Sequence, residues 1–513
     1  MAQELQNLAI TAPGFKGVNT QDSPVNDDFA FASVAENCII DKYGRIGARK
    51  GIKTLTASLT PLGSSSGLEA VGEFLDVSGN NLIFGCGNNK VFKGTSTNTV
   101  LTEVTLPTSY TVSANNWKIV NFNSSAYFFQ QGYEPLVYSN SAGLQKMSAV
   151  TSAAGTPPQA NEAIGAYGRL WVADFAADKS TVYWSDLLGG HKWTGGSSGS
   201  INVANVWPDG YDEIVALAAW NGYLVILGKH SLIVYQGATT PSSMSLLDTI
   251  SGVGCLSRDS VQSTGSDLLF LSSSGVVSLG RTIQEKSMPI NTVSGTVTDD
   301  VVYYISLESD KKKIKAVFSP EESIYLLIFP TSDLIYCFDM KGKLENGSHR
   351  ATTWSSTTVL NGLRTIDGTL YFGGSAGITE YDGYIDGTET TYHMRYFSNE
   401  LSFGDPSRLK ILKEINLIMV GGQNVTATAN WAYDFSNAFS QQSFTIADVT
   451  LAEYNVSEYN TAAEYSSGII IADDFVKTTG QGKSVKVGVE AIINDNALSL
   501  QQMNVKALIG RMT

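Results

Sequence analysis

The sequence predicts an all-β chain, a β-propeller of about seven blades followed by a C-terminal antiparallel β-sandwich. Three observations carry this. Long segments of 3.6-residue apolar period are absent, while Thr, Ser, Val, Ile, Tyr and 49 glycines dominate the chain. A unit of apolar strand, polar turn, second apolar strand, turn and third strand recurs through its middle. The recurrence has a period in the forties, as expected for small twisted sheets that can bury both faces only by packing round an axis.

Residues 1–67 read as an N-terminal arm with its leading strands. Residues 68–385 hold the repeats, which begin EAVGEFLDVSGNNLIFG at Glu69, WKIVNFNSSAYFF at Trp117, AIGAYGRLWVADF at Ala163, IVALAAWNGYLVILG at Ile214, DSVQSTGSDLLFLS at Asp259, KAVFSPEESIYLLIF at Lys315 and LNGLRTIDGTLYFGG at Leu360. Their second strands are anchored at Leu82, Tyr127, Leu170, Leu224, Leu268, Tyr325 and Leu370, with spacings of 45, 43, 54, 44, 57 and 45 residues. The two long spacings imply insertions near Leu187 to Asp209 and Arg281 to Lys313, and such loops are where a repeat scaffold usually acquires function. From 386 to 513 the period is lost. Strand pairs with GG and ND turns there fit an antiparallel sandwich of roughly 100 residues, interrupted by a linker-like stretch around Tyr454 to Tyr465.

Composition narrows the function classes. The chain has 34 Lys+Arg against 48 Asp+Glu, a net charge of −14, with 43% hydrophobic and 16% charged residues. That is too apolar for disorder and too acidic for a high-affinity nucleic-acid binder. Cys38, Cys86, Cys255 and Cys337 lie far apart and read as buried reduced thiols. The N-terminus lacks the basic and apolar regions of a secretory signal, and no apolar run reaches the roughly 18 residues of a membrane span. The expected site of synthesis and folding is a cytosol.

Catalytic and cofactor motifs are absent from the sequence: no GxSxG, HExxH, P-loop or dinucleotide fingerprint. The expectation is no enzyme activity, no cofactor and no metal. His191, His230, His349 and His393 are scattered without ligand spacing. The run from Asp382 to Asp386 could offer carboxylates to Ca²⁺, but Asp-Gly is common turn chemistry. The segment from Ser185 and Asp186 to Trp193 and Thr194 loosely resembles the Asp-box turn of sialidase-type propellers. A glycosidase would need converging carboxylates, and Asp174, Asp186, Asp212 and Glu213 are individually unexceptional. Lys311, Lys312 and Lys313 read as a solvated, charge-mixed loop. Trp117, Tyr127, Trp171, Trp184 and Trp220 fall at strand positions and read as packing between blades.

Two N-terminal segments, FKGVNTQDSPVNDD and AENCIIDKYGRIGARKG, resemble the start of bacteriophage tail proteins. The matching positions are Gly17, Asn19, Asp22, Pro24, Asn37, Asp41, Gly44, Arg49 and Gly51. The runs VYWSDLLGGHKWTGG, VWPDGYDEIVALAAWNGYLVILGKHSLIVYQG and GVGCLSRDSVQSTGSDLLFLSSSGVVSLG follow in the family's order, and LSFGDPSRLKILKEINLIMVGG resembles its sandwich domain. The family is the tail nozzle (tail tubular protein B, or packaged-DNA stabilisation protein) of short-tailed phages. The resemblance implies a structural virion protein, assembled in the host cytoplasm. It implies six copies in a ring below the adaptor beneath the portal, with outer surfaces for tail fibres or spikes. The ring would close the DNA channel before infection and conduct the genome, without sequence-specific binding, during ejection. Two other readings stand beside it: a glycan-binding or glycan-cleaving propeller acting as receptor module or depolymerase, and a scaffold propeller elsewhere in a baseplate.

The charge divides unevenly. Residues 1–67 hold six acidic and six basic side chains, residues 68–385 hold 28 and 19, and residues 386–513 hold 14 and 9. Lys42, Arg45, Arg49, Lys50 and Lys53 cluster in the arm, which is neutral as a whole, and make it the expected contact for an acidic partner surface. An acidic body suits a channel through which DNA slides, because phosphates gripped by cations would need counterion exchange at every step. The expectation is a lumen of Asp, Glu and uncharged polar residues.

Overall fold

A computed structural model describes residues 4–55, 67–87, 89–95, 101–112, 116–289, 292–375, 377–422, 424–446 and 471–512. The stretch Tyr454 to Tyr465 lies outside the described residues.

Seven small antiparallel sheets follow one another along the chain, at residues 70–104, 118–146, 160–202, 214–251, 262–278, 315–355 and 359–381. They are the blades of a propeller, numbered 1 to 7 in that order. Each of the seven sequence anchors falls in the second strand of its blade, from Leu82 in Asn81–Gly87 to Leu370 in Leu370–Gly374. The turns between first and second strands have the chemistry that tight hairpins require. Tyr167 and Gly168 have φ of 53° and 72°, and Asn221 and Gly222 of 49° and 82°, the left-handed pair of a two-residue hairpin whose twist matches its strands.

Burial explains why the strands read as continuous apolar runs. In Tyr223–Gly228, Leu224 and Ile226 pack with Trp171 and Trp184 of blade 3, while Val225 and Leu227 pack with Leu268 and Phe270 of blade 5. Alternate side chains point to opposite faces, and both faces are covered. Separate apolar clusters fill the spaces between consecutive blades, including Tyr371 and Ile378 of blade 7 against Ile83 and Phe92 of blade 1, which closes the ring. Closure is locked by strand pairing as well. Blade 7 takes its fourth strand, Ile52–Thr54, from the N-terminal region, paired antiparallel with Gly377–Tyr381.

The C-terminal region is a two-sheet sandwich in which the N-terminus takes part. One sheet runs Ile471–Lys477, Arg408–Gly421, Leu498–Met512, Ile46–Ala48, Cys38–Ile40, with Glu4–Thr11 also paired to Leu498–Met512. The other is continuous with blade 6. From its outer strand His349–Ser355 the sheet goes on through Gly17–Val18, Phe31–Glu36, Tyr392–Ser398, Val485–Ile493, Thr426–Tyr433 and Ser440–Thr445, ten strands in all. Leu412, Met503 and Val505 of the first sheet meet Tyr396, Val487 and Ala429 of the second in one core, which extends into the space between blades 5 and 6. Residues 4–54 thus supply strands to both sandwich sheets and to blade 7.

The second long insertion carries two helices, α1 (Leu279–Glu285) and α2 (Thr298–Leu307), packed by Leu279, Val301 and Ile305. Among the described residues no helix is long and apolar enough to cross a membrane.

Candidate functional site

The motif residues of the N-terminal region gather where propeller and sandwich join. Arg49 is fully buried. Its Nη1 and Nη2 donate to Oδ1 and Oδ2 of Asp386 at 2.8 and 2.6 Å, its Nε donates to Oδ1 of Asn37 at 3.0 Å, and its guanidinium lies 4.2 Å from the Tyr392 ring centre. Burial alone would lower the Arg49 pKa, but Asp386 outweighs it and holds the value above the ordinary one. Asn37, at φ 53°, donates from Nδ2 to the His393 carbonyl at 2.8 Å, and its Oδ1 accepts the Ser355 N–H at 3.1 Å. The pair therefore ties the N-terminal strands to blade 6 and to the sandwich. Gly51 lets the backbone pass: a Cβ there would sit 2.0 Å from the Ile385 carbonyl oxygen.

The remaining motif positions shape the path toward this clasp. Gly17, at φ +82°, lies against Ala351, whose carbonyl oxygen a Cβ would meet at 2.4 Å. Asn19 donates to Asp22 at 2.6 Å and accepts the N–H groups of Gln21 and Asp22. The Pro24 carbonyl accepts the Glu400 N–H at 3.0 Å. Asp41 accepts the N–H groups of Tyr43 and Arg45 at 2.8 and 3.0 Å, closing a turn in which Gly44 is pressed against Pro13.

The cations grouped by sequence separate in space. Lys42 and Arg45 flank the exposed Tyr43 ring at 5.0 and 4.4 Å. Lys50 pairs with Glu322 of blade 6 at 2.6 Å, and Lys53 is exposed on the outer strand of blade 7. Arg49 does not share their surface, because its guanidinium is sealed inside against Asp386.

A second constellation fills the propeller axis. Arg258, in a short turn before blade 5, donates from Nη2 to the Asn116 carbonyl (3.1 Å), Asn116 Oδ1 (2.9 Å) and the Trp117 carbonyl (2.9 Å), and from Nη1 to Asn161. Lys118 of blade 2 reaches Asp259 at 3.2 Å and Glu162 of blade 3 at 3.5 Å. Lys315 of blade 6 lies 3.6 Å from Asp259 and donates to the Glu69 carbonyl. Glu162 accepts the Leu217 N–H of blade 4 at 3.2 Å, and Asn361 of blade 7 donates to the Leu68 carbonyl at 2.7 Å. Blades 2 and 5 stand opposite in a ring of seven, so bonds between them cross the axis.

Its electrostatics are those of a shielded, mutually compensated cluster. Burial would raise the Asp259 carboxyl, but Arg258, Lys118 and Lys315 outweigh that and hold it well below the usual carboxylate range. Burial would lower Lys118, but Glu162 and Asp259 keep it raised and charged. For Glu162 burial prevails over Lys118 and Arg258, and its pKa is raised.

The other sequence candidates fall into structural roles. All four cysteines are buried and free. Asp186 accepts the N–H and hydroxyl of Ser197, both at 2.9 Å, and organises its own loop. Asp174 holds Asn161 and Lys179, Asp212 accepts the His230 N–H, and Glu213 pairs with Lys229. Asp386, weighed from sequence as a turn or Ca²⁺ residue, is the Arg49 partner. Lys312 and Lys313 are exposed, whereas Lys311 donates to the carbonyls of Ile305 and Glu308 and finishes α2. Among the described residues no group of three or more His, Cys, Asp or Glu could hold a metal ion.

No protein family and no curated protein matches the sequence. Similar solved structures include PorZ, a surface component of the type-IX secretion system of Porphyromonas gingivalis (12% identity, TM-score 0.37, 62% of this chain and 37% of PorZ). Others are the Neurospora crassa Pan2 WD40 domain (8%, 0.37, 65% and 94%) and the extracellular domain of BT4673 from B. thetaiotaomicron (12%, 0.42, 85% and 62%). The chain thus spans little more than a third of PorZ. The propeller assignment rests on the sheet pairings above.

Proposed function

We propose that the chain is a non-enzymatic structural subunit of the tail nozzle of a short-tailed bacteriophage, assembled in the host cytoplasm and carried in the virion. The observation that supports this most strongly is the N-terminal motif. Its residues resemble those of nozzle proteins in type and order, and each holds a turn, a close approach or an ion pair where propeller meets sandwich. A propeller and sandwich sharing one continuous sheet and one buried ion pair form a stiff unit, which suits a subunit under load in a ring. Arg258 and its partners occupy the propeller axis, so in this reading the genome passes through a lumen formed between ring copies, lined by acidic and uncharged polar side chains. The Lys42–Tyr43–Arg45 turn is the contact for an acidic surface of the adaptor below the portal, and other outer faces serve fibres or spikes. Purified protein mixed with its adaptor–portal complex is expected to give six-fold rings with a central channel in electron microscopy. A monomer that ignores that complex would overturn the proposal, and a continuous Lys/Arg stripe along the bore would overturn its account of the lumen.

A further inference from the structure

Blade 5 has three strands where the other blades have four, and α1 and α2 stand beside it in place of the fourth. Its outermost strand, Gly275–Ser278, is buried throughout because both helices pack against it. α2 therefore lies on the outer circumference of the propeller. Val301 and Ile305 enter the core that holds Val276, and the opposite side of the helix faces solvent.

That opposite side carries a stripe with helical spacing. Asp299, Val302, Tyr303, Ser306 and Leu307 are all exposed and follow one another at i, i+3, i+4, i+7 and i+8. Val302, Tyr303 and Leu307 are 37, 58 and 43% exposed, whereas the solvent side of a surface helix is ordinarily polar. Ser306 keeps the middle of the stripe thin. Its hydroxyl turns back to donate to the Tyr303 carbonyl at 2.6 Å, so it demands no outside partner.

The two ends of the stripe differ in charge. Asp299 and Asp300 lie in the first turn, and Lys312 and Lys313 are exposed just beyond the last. Asp310, between them, is turned onto the Lys312 N–H at 3.1 Å. Asp299, Lys312 and Lys313 have no ion pair among the described residues. A parallel copy of the helix would set like charges together. An antiparallel copy sets each acidic end against a basic one, brings the apolar middles into contact and opposes the helix dipoles. We infer that the outer face of α2 is a self-complementary interface that pairs two copies of this chain about a two-fold axis near Ser306. Three apolar side chains per copy bury much less than the roughly 800 Å² per partner of a stable complex, so the pair is weak and forms at high concentration. A two-fold contact uses one patch twice, whereas a six-copy ring joins two different patches, so the interface is independent of the nozzle reading.

Cross-linking and sedimentation of the full chain test it. All four native cysteines are buried, so Ser306→Cys adds the one exposed thiol. Mild oxidation is expected to give a disulfide-linked dimer of Ser306→Cys about tenfold or more faster than of Ser141→Cys, which places the thiol on an exposed turn of blade 2. Sedimentation is expected to show a concentration-dependent dimer, weakened about fivefold by Asp299→Lys and restored when Lys312→Glu and Lys313→Glu are added to it. Equal cross-linking of the two cysteine variants, a parent chain that stays monomeric up to about millimolar concentration, or a charge swap that fails to restore pairing would each overturn the interface. Asp299→Lys is expected to form rings with the adaptor–portal complex as the parent does; rings lost in that variant alone would place α2 in the ring contact and overturn the two-fold assignment, whereas a parent that pairs but forms no rings refutes only the nozzle.

Discussion

Replacing Arg258 with Met keeps the bulk of the side chain and removes what crosses the propeller axis. The guanidinium donates to the carbonyls of Asn116, Asn161 and Trp117 and to the amide oxygens of both asparagines, and lies 3.3 Å from Asp259. Its loss strands those acceptors in a largely buried site and leaves Asp259 with Lys118 and Lys315 alone. Breaking one partner out of a buried ionic cluster costs about 3–5 kcal/mol, because the remaining charge stays desolvated. A loss of about 4 kcal/mol is a large fraction of the roughly 5–15 kcal/mol that keeps a domain folded. Urea unfolding followed by tryptophan fluorescence reads it, since the indole of Trp117, beside the cluster, is buried and becomes exposed on unfolding. Lys90→Met supplies the comparison: it breaks a pair with Glu103 at 3.1 Å in which Glu103 is half-exposed, worth about 1 kcal/mol or less. If Arg258→Met loses no more stability than Lys90→Met, the axial cluster is not a brace and the reasoning fails.

Three further outcomes follow from the same geometry. Asp259 has a folded-state pKa below its unfolded one, so its stabilisation is present above the unfolded value of 3.8 and lost as pH falls below it; acid titration of stability is expected to be shallower in Asp259→Asn than in the parent below about pH 4, and parallel curves would contradict this. Arg49→Lys keeps the charge but cannot hold Asp386 through two parallel bonds while reaching Asn37, and calorimetric stability is expected to fall by about 2 kcal/mol. Gly51→Ala places a methyl 2.0 Å from the Ile385 carbonyl, so the backbone must move at a cost of about 1–3 kcal/mol, seen as a lowered unfolding midpoint; an unchanged midpoint would show that the approach is looser than described.

How far the sequence could be read depended on whether the physics was local. The blades were legible because two-sided burial writes itself as an apolar run and a hairpin as Asn-Gly or Tyr-Gly, so all seven anchors fall in second strands. The helices α1 and α2 were not, since each is short and packs by only a few apolar side chains. The N-terminal region carries a recurring pattern of Gly, Asn, Asp and Arg, but its place in the fold was not legible. Beyond the local pairing of Cys38–Ile40 with Ile46–Ala48, most of its strands pair with residues more than 300 positions away, and no local period encodes that. Arg49 looked like one of five surface cations, whereas its partner Asp386 sits in a segment that reads equally well as a turn. The axial cluster did leave a trace. Glu69, Lys118, Glu162, Asp259 and Lys315 stand at or within a few residues of the start of the first strands of blades 1, 2, 3, 5 and 6, a charged residue near the head of an apolar repeat. Comparing the repeats column by column, rather than strand by strand, would have pointed to the axis.

The most direct test of the account is the position of this chain in an assembled particle, by cryo-electron microscopy of virions carrying it. Six copies are expected in a ring at the distal end of a short tail, each propeller closed on its own axis by Arg258 and the DNA path running between subunits. Density for the chain in a fibre, in a spike, or at any site off the DNA path would contradict it.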